Sequence, residues 1–154
     1  PEEQKARMQA QRVKTKTPAR LEQGEATKAV KAPQPPARPD LTTTDVLKEA
    51  AKLPGLDGAL FVNHEGLVVE SEWDLDMGAT SCGAALADVN LFLNEELVRA
   101  SFGRVTRVLI ESGQSVFYVV ALPDGLFLFV GGARANLGAL RMKVSDLMER
   151  FKSN

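Results

Sequence analysis

The chain has 154 residues, a formal net charge of -1 and a single cysteine, which allows one domain of ordinary size and excludes an internal disulfide. Charge is unevenly spread: residues 1–40 hold nine Lys/Arg against five Asp/Glu, and the remainder ten against fifteen, so the part able to fold is mildly acidic, which argues against a nucleic-acid-binding domain. No apolar run approaches the roughly 20 residues of a membrane span and no signal-peptide pattern opens the chain, so the expectation is a cytoplasmic protein.

Residues 1–40 contain few large apolar groups (Met8, Val13, Leu21, Val30), and after Pro1 five further prolines, Pro18, Pro33, Pro35, Pro36 and Pro39, interrupt them. Such a segment buries too little surface to offset its ordering entropy. It reads as a basic, Pro-rich tail or linker, with the folded domain over 41–154. The opening Pro1 fits either loss of an initiator Met or a piece cut from a longer chain.

Folded sequence begins near Leu41. Thr42, Thr43 and Thr44 offer N-caps, Asp45 suits a helix N-terminus, and Val46, Leu47, Ala50, Ala51 and Leu53 give a short amphipathic helix stopped by Pro54-Gly55. Gly58–Val62 and Leu67–Ser71 follow as two strands around Asn63-His-Glu-Gly66, a turn with hairpin chemistry. A polar loop, Glu72–Gly78, leads into a long helix, Ala79–Ser101. Its apolar or small residues recur at Ala79, Cys82, Leu86, Val89, Leu93, Leu97 and Ala100, the spacing of one helical face. A second row, Ala85, Leu91, Phe92 and Val98, widens the arc and leaves Asp88, Glu95 and Arg99 as the polar stripe. Either the helix is a deeply buried core element, or it packs on its own sheet and also against a partner. The small residues of its first turns, Gly78, Ala79, Ser81, Gly83 and Ala84, would admit another backbone at close range.

Phe102-Gly103 ends this helix, with Gly103 as the expected left-handed cap. Three strands follow: Val105–Glu111, Val116–Leu122 and Leu126–Val130, joined by short turns at Ser112-Gly-Gln-Ser115 and Pro123-Asp-Gly125, hence antiparallel neighbours. The last two are apolar at consecutive positions, so both faces of the sheet need cover. A final helix, Leu137–Lys152, carries Leu140, Val144, Leu147, Met148 and Phe151 on one face, with Asn136 as its cap. The predicted fold class is α/β: a three-layer sandwich with a five-stranded antiparallel sheet, helices on both faces, and the order α-β-β-α-β-β-β-α.

Order, lengths and local signatures resemble the roadblock/dynein light chain domain family, prokaryotic type. The residues that carry the likeness are LPGLDGALFVNHEGLVVES (Leu53–Ser71), the small-residue start of the long helix, and GGARANLGALRMKV (Gly131–Val144) with its Asn136-Leu-Gly138. The resemblance covers about Thr42–Lys152. It implies a homodimer made by joining the edge strand after the long helix to its copy, with the two long helices side by side. On this chain the implied dimer interface is Cys82, Ala85, Val89, Phe92, Val105, Val108, Leu109 and Ile110. It also implies a small Ras-like GTPase as partner, bound on the outer stripe at Asp88, Asn94, Glu95 and Arg99. Some members stimulate GTP hydrolysis without an arginine finger, and others are scaffolds.

The residues themselves offer little catalytic chemistry. His64 is the sole histidine and falls in a turn, so it builds no multi-His metal site. Cys82 has no base placed beside it and reads as a buried or interface thiol. Glu70, Glu72, Asp74 and Asp76 read as a solvated acidic loop. GGARANLG opens a helix after a strand, yet it lacks the Lys-Ser/Thr ending of a phosphate loop. Arg104, Arg107, Arg134 and Arg141 are available to stabilise a GTPase transition state, with solvated or structural roles as the default. The expectation is a non-enzyme with no cofactor, no metal, no nucleic acid and no membrane span. Two functions fit: a homodimeric GTPase regulator or scaffold, or a homodimeric structural or signalling adaptor without a GTPase. Removing residues 1–38 should leave the melting temperature unchanged in a thermal scan, because the tail has so little apolar surface to contribute.

Overall fold

The structure is a computed structural model. The chain divides into two units, Pro1–Pro36 and Ala37–Asn154, and the structure describes residues 40–151. The expected tail lies outside the described residues.

The elements run α1 (Thr43–Ala50), β1 (Leu56–Val62), β2 (Val68–Trp73), α2 (Ala79–Arg99), β3 (Arg107–Glu111), β4 (Ser115–Leu122), β5 (Gly125–Gly132) and α3 (Leu137–Arg150). The strands form one antiparallel sheet in the order β2-β1-β5-β4-β3. β1 and β5 are therefore central, and both are buried along almost their whole length. One face packs on α1 and α3 through Val46, Leu47, Phe61, Phe127, Phe129, Val144 and Leu147. The other packs on α2 through Leu60, Val62, Cys82, Leu86, Leu126 and Leu128. Burying each of these large side chains contributes roughly 1.5–3 kcal/mol. Phe127 sits at the centre of the first core, with the rings of Phe61 and Phe151 at 4.8 and 5.2 Å. The three-layer sandwich is the architecture expected from the sequence.

Local chemistry sets the boundaries. Thr42 caps α1 in a reciprocal box with Asp45, and the bonds from Thr42 hold the Asp45 carboxyl below its ordinary range. Asn136 caps α3, its Oδ1 accepting from the Ala139 N–H at 3.0 Å. The ends of the domain are tied together: the Leu41 N–H donates to the Arg150 carbonyl at 2.8 Å, and the Arg150 guanidinium grips both Glu49 oxygens at 2.9 and 3.1 Å.

The close-packed backbone expected against the start of α2 is the chain's own first hairpin. The Asn63 side chain organises that turn, accepting from the N–H groups of Glu65 and Leu67 at 3.0 and 2.9 Å. Gly66 sits there at φ 81°, and a Cβ on it would lie 2.8 Å from the Ala84 Cα. Gly131 answers a similar demand, since a Cβ there would lie 2.5 Å from the Gly55 carbonyl oxygen. Close packing thus accounts for the first glycine of GGARANLG.

The end of α2 differs from expectation. The helix stops at Arg99, and Ser101, not Gly103, takes the left-handed position at φ 65°. The Phe102 N–H donates to the Leu97 carbonyl at 2.8 Å and the Ser101 N–H to the Val98 carbonyl at 3.0 Å, the paired bonds of a Schellman ending. Gly103 also has positive φ, at 87°, but serves the exit loop.

Gly66→Ala should cost roughly 2–4 kcal/mol, combining left-handed strain with overpacking. Ser101→Gly should gain roughly 0.5–1 kcal/mol. Urea titration of the two variants measures both. Cys82 is 5% exposed in the α2-side core, and burial pushes its thiol up. Ellman's reagent should therefore label it only on unfolding, at a rate that does not rise when the protein is diluted.

Candidate functional site

The two halves of α2 behave differently. All of its buried residues, Cys82, Gly83, Leu86 and Ala87, lie in the first half. From Asp88 onward nothing is fully buried, and Leu91 (53%), Phe92 (61%) and Val98 are exposed, followed by Phe102 (80%) just past the helix end. The helix packs on β1, β2 and β5. Val108, Ile110 and Phe117, towards the β3 edge on the same face, remain only partly buried. Leu91, Phe92, Val98 and Phe102 thus leave the second half of the helix and its end apolar toward solvent.

The two sheet edges also differ. At β2 the register with β1 shifts between Phe61 and Val62, leaving Val69 as the extra bulged residue. Glu70 and Glu72 both lie on this edge strand, and Glu70 accepts from the Thr44 hydroxyl of α1 at 2.8 Å. A bulge and like charges are the usual protections against edge pairing. β3 has neither: its register with β4 is unbroken from Arg107 to Glu111, and Leu109 on it is 46% exposed.

Of the residues expected at an interface, Ala85, Val89 and Phe92 are exposed on α2 and Leu109 on β3, whereas Val105, Val108 and Ile110 are partly buried. Cys82 is turned inward and belongs to the core of its own sheet, so its thiol has no place on an outer surface. Asp88, Glu95 and Arg99 lie on the outer ridge, with Arg99 paired to Glu96 at 2.6 Å. Asn94 does not join them. Its Oδ1 accepts the Val105 N–H at 3.2 Å in a part-buried contact, so it anchors the chain leading into β3. Leu91 and Val98, which the sequence places in the second apolar row, and Phe102 are also exposed, although none was among the residues expected at the interface. The signal available was the apolar pair Leu91-Phe92 straddling the polar stripe.

A groove of ≈ 560 Å³ runs beside α2, lined by His64, Asn90, Leu91, Asn94, Arg104 and Leu122 among others. His64 Nε2 donates to the Pro123 carbonyl at 2.7 Å, linking the two hairpin turns. Asn90 Oδ1 is shielded there without a hydrogen-bond partner, a situation that costs about 1–3 kcal/mol. Arg104, Arg134 and Arg141 are exposed, and Arg107 donates to the Ser145 hydroxyl at 3.1 Å. Among the described residues no cluster of three or more His, Cys, Asp or Glu is placed to hold a metal, and no helix is long and apolar enough to cross a membrane.

Charge is segregated within the folded region. Between Leu53 and Val98, covering both strands of the first hairpin and nearly all of α2, there are nine Asp/Glu and no Lys or Arg. From Arg99 to the end there are eight Lys/Arg and four Asp/Glu. The outer ridge of α2 thus sits in an anionic field that attracts a cationic surface and repels an anionic one.

Comparison with known proteins agrees with this architecture. The family model for the Roadblock/LC7 domain matches residues 42–131. Uncharacterized protein MJ1340 of Methanocaldococcus jannaschii is 24% identical over 108 residues, covering 70% of this chain and 95% of the relative. Among solved structures, a Roadblock/LC7 domain from Streptomyces avermitilis superposes with a TM-score of 0.61 at 17% identity, over 71% of this chain and 92% of that one. The gliding protein MglB from Thermus thermophilus gives 0.61 at 16% identity, over 76% and 94%. With a model matching more than half of its length and the same order of strands and helices, the chain belongs to the Roadblock/LC7 domain family.

Proposed function

We propose that the protein is a homodimeric regulator or scaffold for a small Ras-like GTPase, which it binds on the outer ridge of its paired α2 helices. The observation that carries this reading is the second half of α2. It is apolar on both flanks of a charged ridge, uncovered by its own sheet, and continuous with the open β3 edge. Membership of the Roadblock/LC7 family supports the reading, as does the fold shared with a gliding protein.

Each copy places its β3 edge against the other, and the exposed flanks of α2 are buried between the two helices. Asp88, Glu95 and Arg99 then remain on the outside, in the anionic field of the hairpin and helix. The chain lends the GTPase no catalytic side chain, so its effect on hydrolysis comes from holding the switch segments of the GTPase in one arrangement.

Asp88→Lys combined with Arg99→Glu tests the GTPase site. Both positions are exposed and the Arg99–Glu96 pair is solvated, so stability should change by no more than about 1 kcal/mol. Circular dichroism and light scattering should match the wild type, while capture of GTP-loaded small Ras-like GTPases should fall about tenfold and lose salt sensitivity. Undiminished capture would move the GTPase site off this ridge. A wild-type protein that captures no such GTPase would favour the adaptor role.

A further inference from the structure

The groove beside α2 stands where four stretches of chain converge. Asn90 and Leu91 come from α2, Arg104 and Thr106 from the lead-in to β3, Leu122 from the end of β4, and His64 from the first hairpin turn. The bond from His64 to the Pro123 carbonyl ties two of these walls together. Its volume of ≈ 560 Å³ is that of a small-molecule pocket. Among its described lining residues Arg104 is the one Lys, Arg, Asp or Glu, and it is exposed. The side-chain amides of α2 show a second feature. Asn94 Oδ1 accepts the main-chain N–H of Val105 at 3.2 Å. Asn90 stands one turn earlier on the same ridge, and its Oδ1 is shielded without a partner. The terminal torsion of an asparagine is broad and two-fold, so a turn of this amide presents either its acceptor or its donors to the groove.

We propose that this groove binds the C-terminal end of a peptide. The terminal carboxylate meets the Arg104 guanidinium, a charge-assisted pairing that arginine makes well. The Asn90 amide accepts the last main-chain N–H, as Asn94 accepts that of Val105. An aliphatic last side chain lies against Leu91 and Leu122. Other anionic ligands match fewer of these groups. A nucleotide or other polyphosphate carries several negative charges into the anionic field of the hairpin and helix, where a single guanidinium stands against nine carboxylates. A fatty acid has the carboxylate and the apolar body but no N–H for Asn90, whose shielded oxygen then stays unpaired. A peptide end supplies one carboxylate, one N–H and one apolar side chain, and it suits a volume of small-molecule size better than a strand running through. The site is separate from the GTPase ridge, since Asp88, Glu95 and Arg99 are not among its lining residues.

The test is fluorescence anisotropy on the full chain with a fluorescein-labelled peptide, Gly-Ser-Gly-Ala-Ala-Leu, ending in a free carboxylate. Saturable binding is expected. It should weaken about tenfold when the terminus is amidated, and about tenfold when the leucine nitrogen is methylated. Arg104→Gln should weaken binding of the free acid by a similar factor and leave the amidated peptide unaffected. Asn90→Leu should weaken binding of the parent peptide and leave the methylated one unaffected. Asn90→Leu should also raise the melting temperature, because an apolar side chain of similar size replaces a shielded, unpaired amide, so its lost binding is not a loss of fold. On the wild type, the parent peptide should shift the amide resonances of Asn90 and Thr106 in a heteronuclear spectrum, a readout that needs no variant. No binding at millimolar peptide, shifts confined to other parts of the chain, or equal affinity for the amidated peptide would each overturn the proposal. Equal affinity for Gly-Ser-Gly-Ala-Glu-Leu with an amidated end would overturn the assignment to a chain terminus.

Discussion

A strand pair that is apolar on both faces has to be covered twice, and most of the structure follows from that demand. β1 and β5 lie side by side at the centre of the sheet and are buried on both sides. One helix layer could shield only half of that surface. The chain therefore places α1 and α3 together on one face and sends α2 across the other, between the first hairpin and the three-strand meander. The tie from Leu41 and Glu49 to Arg150 closes the two-helix layer. The glycines at 66 and 131 let the hairpin turn and the β5 end approach α2 and the α1–β1 loop closely enough to keep water out.

α2 meets this demand with only half its length. Its first turns are small and inward-facing, and they fit the hairpin. Its later turns are large, apolar and outward-facing. A helix needed only as a cover would stop near Ala87. The additional turns, the ordered ending around Ser101 and the anchoring of Val105 by Asn94 are better explained as a platform held in fixed relation to β3. Asn94 matters here because its side chain ties the helix directly to the lead-in of β3.

Periodicity made the elements legible. The hairpin chemistry of Asn63–Gly66, the consecutive apolar runs of β4 and β5, and the Asn136 cap each correspond to what the structure contains. They have in common that local physics decides them. What stayed illegible depended on tertiary placement. Cys82 and Val89 share a helical face on paper, yet the helix leaves its sheet between them, so one is core and the other is surface. Asn94 looked like a polar rim position because nothing local announces that Val105 will return to it. Ser101 displaced Gly103 because the helix ended two residues earlier than composition suggested, and the Schellman bonds fixed the conformation regardless of residue type.

The strand order has a consequence for how the chain reaches this state. β1–β2 and β3–β4–β5 close through short turns, so each can form early from neighbouring residues. Joining them through β1–β5 brings residues such as Val62 and Leu126 together across the whole of α2, a loop closure whose entropy is repaid only on completion. Before that step the meander has two open edges, β5 and β3, and the β5 edge is far more apolar. Docking of the β1–β2 hairpin on the β3–β4–β5 meander is the step that closes the longest loop in the sheet. Its characteristic off-pathway product would be a domain swap, with the β5 of one molecule accepting the β1 of another.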